Sequence, residues 1–274
     1  MKTINCKGKL IDFSTPRVMG ILNITPDSFF DGGEYTNESD IIDQVSNMLT
    51  EGATFIDVGA YSSRPGASHV TEAEELKRIL PVIELLMKEF PEINILVDTF
   101  RSNVAKQTIE RGAAMINDIS GGTLDAQMFQ TIAQLQVPYI VMHMLGTPQN
   151  MQQNPQYDNV TKELISFFAE QLFQLHQLKV NDVIIDVGFG FGKTIEHNYE
   201  LLKNLALFQT LDAPILAGIS RKSMLYKPLD ISPKTALNAT TAANTVALLN
   251  GANILRVHDV KEAQEAIKIV AQLS

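Results

Sequence analysis

Short apolar runs in this chain repeatedly end on polar residues that could hold a ligand. Asp98 ends one run in VDTFR, Asn117 and Asp118 another in INDISGG, and Asp186 a third in IIDVGFG. Lys222 lies in GISRKS, Arg256 and His258 in RVHD, Arg64 in YSSRPG, and Asn23 at the head of NITPDSFFDGG. A carboxylate or an amide oxygen accepts hydrogen bonds, so Asp98, Asn117 and Asp186 suit the N–H edge of a planar heterocycle. Arg64, Lys222, Arg256 and His258 together suit an anion such as a phosphate or diphosphate. Each residue alone has a plainer explanation. A strand-end Asp or Ser often caps the next helix, and a single His is usually a hydrogen-bonded structural residue. The recurrence of such groups at successive run ends points to one site.

In DVGFGFGKT, Asp186 is followed by Gly188, Gly190 and Gly192 and then Lys193. Glycines here are expected to leave room for a flat ligand beside bare backbone. A phosphate loop is excluded, because GxxxxGK[ST] would need glycine where Val187 stands. Lys193 is therefore expected to be structural or to support the ligand contacts from behind, with Lys222 in contact with the ligand. The chain also carries no HExxH, EF-hand or GxSxG pattern.

These residues need elements to position them. Strand-like runs rich in Val and Ile fall at 18–24, 53–58, 93–97, 113–117, 139–143, 183–186, 214–217 and 253–257. Helical periodicity fills the intervals, with Pro81 expected to kink or split one helix and Ser102 expected to cap another. Residues 1–16 read as a β-hairpin about Lys7-Gly8-Lys9. Eight strands alternating with eight helices predict an α/β fold: a (β/α)8 TIM barrel with a short N-terminal β-hairpin, in which the site lies at the C-terminal strand ends. A doubly wound open sheet is the alternative, disfavoured because the repeat does not reverse near six strands. Since no linker or composition shift divides residues 1–274, one domain is expected.

Composition narrows the partners. The chain has 274 residues, 45% hydrophobic and 19% charged, an ordinary globular balance. A net charge of -9 disfavours nucleic acid and anionic membranes as partners. Cys6 is the single cysteine, so no intrachain disulfide can form. No apolar run reaches membrane-spanning length, and a cytoplasmic setting is expected.

The segments MGILNITPDSFFDGG, IDVGAYSSRPGAS, VDTFR, INDISGG, MHMLGTPQNMQ, DVGFGFGKT, GISRKS and RVHDV resemble, in order and spacing, the signatures of the dihydropteroate synthase family. The resemblance implies a transferase of folate synthesis, a sulfonamide target class. It would join 6-hydroxymethyl-7,8-dihydropterin diphosphate to 4-aminobenzoate with Mg2+, as a homodimer. Carried over by motif, the pterin pocket falls on Asp98, Asn117, Asp186 and Lys222, walled by Met142, Phe189 and Gly218. Arg64, Arg256 and His258 would hold the diphosphate, with Asn23 near Mg2+. Two mobile loops, near residues 25–33 and 60–68, would bring Phe30, Asp31, Ser63 and Pro65, with Ser220, to the aminobenzoate. Asp98, Asp186, Lys222 and Arg256 are the residues implied in catalysis.

The sequence departs from the family pattern in three places near the site. Tyr61 stands where that family has Glu in Gly-Gly-Glu-Ser-Thr-Arg-Pro, Val187 where Pro commonly follows the strand-six Asp, and Phe30 where a serine is common. An SN1-like path is expected, since a carbon attached to an electron-rich dihydropterin can ionise as diphosphate leaves. Two alternatives compete with this reading: a methyltetrahydrofolate:corrinoid methyltransferase, which has no use for a diphosphate site, and an inactive barrel that only binds pterin or phosphate ligands.

Overall fold

The computed structural model describes residues 2–24, 38–61 and 70–273. The chain opens with two antiparallel strands, β1 (Thr3–Cys6) and β2 (Lys9–Asp12). Lys7 and Gly8 join them, both at positive φ, as a tight two-residue hairpin requires. Eight parallel strands then close into a barrel: β3 (Arg17–Asn23), β4 (Phe55–Gly59), β5 (Ile95–Asp98), β6 (Met115–Asp118), β7 (Tyr139–Met142), β8 (Val183–Asp186), β9 (Ile215–Ala217) and β10 (Ile254–Val257). Sequence neighbours pair throughout, and β10 returns to pair with β3. The eight-stranded (β/α)8 barrel with its leading hairpin is thus the observed fold.

Helices α1 (Glu38–Thr50), α2 (Glu72–Glu89), α3 (Ser102–Ile109), α4 (Met128–Leu135), α5 (Val160–Gln177) and α6 (Ile195–Lys203) follow β3 to β8 in turn. The short α7 (Ser223–Tyr226) and α8 (Leu237–Leu249) follow β9, and α9 (Val260–Val270) follows β10. Two local expectations change. Of the kink or split expected at Pro81, the split does not occur: helix α2 runs on through that exposed residue. Ser102 is the first residue of α3 and not its cap. Its backbone N–H donates to Asp125 Oδ2 at 2.7 Å, so a distant carboxylate serves that helix end.

Strand periodicity sorts the side chains. Val18, Ile56, Ile95, Ile116, Val141, Ile185 and Leu255 face outward and join the helices in one large core. The alternate residues Met19, Phe55, Leu96, Met115, Ile140, Ile184, Leu216 and Ile254 pack inside the barrel with Ile4, Cys6 and Phe13. The hairpin therefore plugs the N-terminal end. Asn5 N–H donates to Asp182 Oδ1 at 2.9 Å, and Lys2 Nζ donates to Ala213 O at 2.7 Å, fastening the plug to the rim.

Candidate active site

The same period of two that fills the barrel floor with apolar residues puts polar ones at its mouth. Two residues beyond Phe55, Leu96, Met115, Ile184 and Ile254 lie Asp57, Asp98, Asn117, Asp186 and Arg256. Pairing register sets Asp98 beside Asn117, and Met142 beside Asp186. Next to Ile21 in register stands Asp57, fully buried.

Arg256 is the hub of this layer. Its Nε donates to Asp57 Oδ2 and its Nη2 to Asp98 Oδ2, the latter at 3.3 Å. Asn117 Nδ2 also donates to Asp57 Oδ2, at 3.4 Å. Arg256, assigned from the sequence to a diphosphate, is here first the counter-ion of two carboxylates. The buried oxygens Asp57 Oδ1 and Asn117 Oδ1 have no hydrogen-bond partner. Buried acceptors left in this way call for N–H donors. Gly218 lies between Asp186 and Arg256: a methyl group there would sit 3.8 Å from Asp186 Oδ2 and from Arg256 Cβ.

Burial and the nearby Asp57 push the Asp98 carboxyl up to about 8, against the pull of Arg256. Burial likewise raises Asp186, opposed by Lys222 and by the Gly188 N–H, which donates to Asp186 Oδ1 at 2.8 Å. Lys222 is lowered to about 8 by burial, with Asp186 opposing. Its Nζ donates to Phe189 O and lies 4.7 Å from the Phe191 ring centroid. Burial works against the charge of Arg256, yet Asp57 and Asp98 hold it above the usual arginine range.

The walls differ from the expected set. Phe189 is fully buried in the core between barrel and helices, so its ring is not a wall of the mouth. Phe191 takes that place, half-buried and packed with Met142, Met144, Met151, Ile119 and Phe100. The two phenylalanines alternate along GFGFG, and only packing distinguishes them. The glycines also do a different job from the one expected. All three have positive φ, and a methyl group on Gly188 would lie 2.1 Å from His143 O, one on Gly192 2.8 Å from Leu145 O. Protein backbone, not a ligand, occupies the space beside those two.

Other residues separate into supports. Asp118 points away from the mouth and is held by Ser120 N–H and Oγ–H, Gly122 N–H and Tyr139 Oη–H. Arg221 makes a two-point ion pair with Asp259, at 2.9 and 2.7 Å, joining the ends of β9 and β10. Ser220 Oγ and His258 Nδ1 lie 3.0 Å apart across the same two strand ends. This couples a residue assigned to aminobenzoate with one assigned to diphosphate. His258 is exposed. Asn23 is half-buried, with its Oδ1 and Asp98 Oδ2 flanking Gly59. Tyr61 packs edge-on to Phe100 at 5.1 Å, beneath the Arg101 guanidinium, and accepts a hydrogen bond from Gln149 at 2.8 Å. Arg101 is itself paired with the buried Glu75. Phe30, Asp31, Ser63, Arg64 and Pro65 lie outside the described residues.

Asp57, one of the polar residues at the end of the second strand-like run but given no ligand role from the sequence, shares the inward register of Asp98 and Asn117. That period-two register was the signal available for it.

Comparison with known proteins places this geometry. The model of the family described as pterin binding enzyme matches residues 19–258. The barrel, with its carboxylate-lined mouth, is that of a pterin-binding enzyme. The dihydropteroate synthase of Escherichia coli (strain K12) is 43% identical over 270 residues, covering 96% of this chain and 94% of that protein. The Yersinia pestis dihydropteroate synthase in a sulfonamide drug complex superposes with a TM-score of 0.93 at 40% identity, covering 99% of this chain and 98% of that one. The Xanthomonas albilineans dihydropteroate synthase with 4-aminobenzoic acid gives 0.91 at 36% identity, covering 99% and 97%. The chain belongs to the dihydropteroate synthase family, the transferases of folate biosynthesis.

Proposed function

We propose that this chain forms 7,8-dihydropteroate by an SN1-like displacement at the pterin methylene, with the pterin seated against Asp57, Asp98, Asn117 and Asp186. The observation that carries this is the pair of buried, unpartnered acceptors, Asp57 Oδ1 and Asn117 Oδ1, beside two further carboxylates. A dihydropterin offers ring N–H and amino donors to such a set. In the reaction the methylene C–O bond breaks and its electron pair leaves with the diphosphate. The cation left on the methylene spreads into the dihydropterin ring, where nearby carboxylates stabilise it. The aminobenzoate nitrogen then bonds to the methylene and gives up a proton to solvent.

Arg256, His258 and Arg64 are the groups proposed for the leaving diphosphate, with Lys222 between that charge and the ring. Phe30, Asp31, Ser63, Pro65 and Ser220 are proposed around the aminobenzoate. Asn23 would give Mg2+ an amide oxygen, beside those of the diphosphate and of water. The described residues hold no cluster of three His, Cys, Asp or Glu suited to a metal. A hard cation that keeps its waters and rides on substrate phosphates needs few protein ligands, so this donor set fits. Mg2+ would supply neutralisation of the leaving charge. We take residues 1–274 as one domain, paired as a homodimer through the last helices and working in the cytoplasm. No helix among the described residues is long and apolar enough to cross a membrane.

The test is diphosphate release with both substrates and Mg2+, each omitted in turn. Release should require all three. Asp186→Asn should weaken binding of 6-hydroxymethyl-7,8-dihydropterin by about a hundredfold or more, the scale of losing a charge-assisted contact from a buried site. Parent-like binding would remove Asp186 from the pocket.

A further inference from the structure

The glycine loop between β8 and α6 is held by side chains to an unusual degree. Its four consecutive carbonyls each accept a hydrogen bond from a different residue. Lys222 Nζ donates to Phe189 O, and Gln152 Nε2 donates to Gly190 O at 2.5 Å. Lys193 Nζ donates to Phe191 O at 2.9 Å, and Tyr157 Oη–H donates to Gly192 O at 2.8 Å. Lys193 Nζ reaches further, to His143 O at 3.2 Å and His143 Nδ1 at 3.1 Å.

An ammonium has three N–H donors, and Lys193 has three acceptors for them. Its side chain is buried, 3% exposed, and none of those partners is a carboxylate. Burial lowers its pKa to about 7, although Asp186 opposes. Burial, with the Lys193 charge beside it, also holds His143 down, to about 3; in the tautomer protonated at Nε2, its Nδ1 accepts from Lys193. Burying an ammonium is costly, and an apolar residue of like size would avoid that cost. What the ammonium adds is a fixed distance between the end of β7 and the backbone that carries Phe191.

We propose that Lys193, supported by Tyr157, is a positioning residue for the pterin pocket: by tying Phe191 O to His143 O it sets the Phe191 ring against Lys222 and Met142. The inference rests on the pterin-pocket assignment above and extends it to a residue that touches no substrate.

The test uses Lys193→Met, which keeps an unbranched apolar chain as far as Cε and removes the donors, and Tyr157→Phe, which removes only the bond to Gly192 O. Affinity for 6-hydroxymethyl-7,8-dihydropterin, the KM for 4-aminobenzoate at saturating diphosphate ester, and Tm are measured for each. Lys193→Met should raise the pterin Kd about tenfold while the aminobenzoate KM stays within about twofold, as for a supporting contact behind one subsite. Tyr157→Phe should shift the same quantity by about two- to fivefold, and it decides the matter if Lys193→Met does not fold. A lowered Tm with pterin Kd unchanged, or equal losses for both substrates, would overturn the proposal. Asp186→Asn run in parallel separates the two claims. If it binds pterin normally, the pocket assignment fails. If it loses binding while the Lys193 and Tyr157 variants do not, only this inference fails.

Discussion

At the scale of single residues, the mouth concentrates charge that water would otherwise screen. Asp57, Asp98 and Asp186 share two cations, Arg256 and Lys222, within one layer. That leaves the layer short of positive charge, and burial together with the nearby Asp57 raises the Asp98 carboxyl to about 8. The consequence for stability has a definite sign. Asp98 moves from an unfolded value of about 3.9 up to about 8 in the fold, so between these the folded chain binds the extra proton. Its contribution is present below about pH 4 and is lost as pH rises through about 8. In urea titrations, Asp98→Asn should flatten the decline of unfolding free energy across that window, by at most about 1.4 kcal/mol per pH unit. An unchanged slope would mean that the proton resides elsewhere in the cluster.

At the scale of elements, the β8–α6 loop and the end of β9 use glycine for different reasons. Gly188 is in the left-handed region and abuts His143 O. At Gly218 a methyl group would meet only ordinary contacts, 3.8 Å from Asp186 Oδ2 and from Arg256 Cβ. Gly188→Ala should therefore cost about 2–4 kcal/mol of stability, from strain plus a backbone clash, read as a lower denaturation midpoint. Gly218→Ala should leave Tm within about 2 °C but weaken pterin binding about tenfold, since its methyl group meets only ordinary contacts in the protein and intrudes on the ligand's space. If the two variants behaved alike, the loop would not be a packing device distinct from the pocket. Tyr61 is an element-scale substitution as well. Set against Phe100 and Arg101, it joins the end of β4 to the segment after β7 through Gln149.

At the scale of the molecule, the barrel keeps its apolar plug and its polar mouth at opposite ends. Ile4 is buried among the inward residues of the strands, on the floor beneath the carboxylate layer. Ile4→Ala should thus lower unfolding free energy by about 2–5 kcal/mol, as cavity formation in a close-packed core does. Pterin Kd, measured well below the new Tm, should remain within about twofold, since the perturbation is confined to the plug. A large loss of affinity would show that the floor and the mouth are mechanically linked.

Much of this protein is determined by its sequence alone. Apolar runs at regular intervals imply eight strands, and their alternation implies which ends face one mouth. The period of two is local, and so is legible without a fold. Asp98, Asn117, Asp186 and Arg256 could be proposed together because each stands at or near the end of an apolar strand-like run, in a segment that resembles the family's signatures. The tertiary structure alone decided which neighbours they meet. Phe189 and Phe191 have the same sequence context, yet one enters the outer core and the other faces Lys222. Arg256 became the partner of Asp57, 199 residues away in the chain. Gly188 and Gly192 of DVGFGFGKT, expected to leave room for a ring, instead lie against the backbone of His143 and Leu145, while Gly190 faces the Lys222 side chain. Such pairings depend on barrel closure, which sets distances between strands that no local spacing encodes.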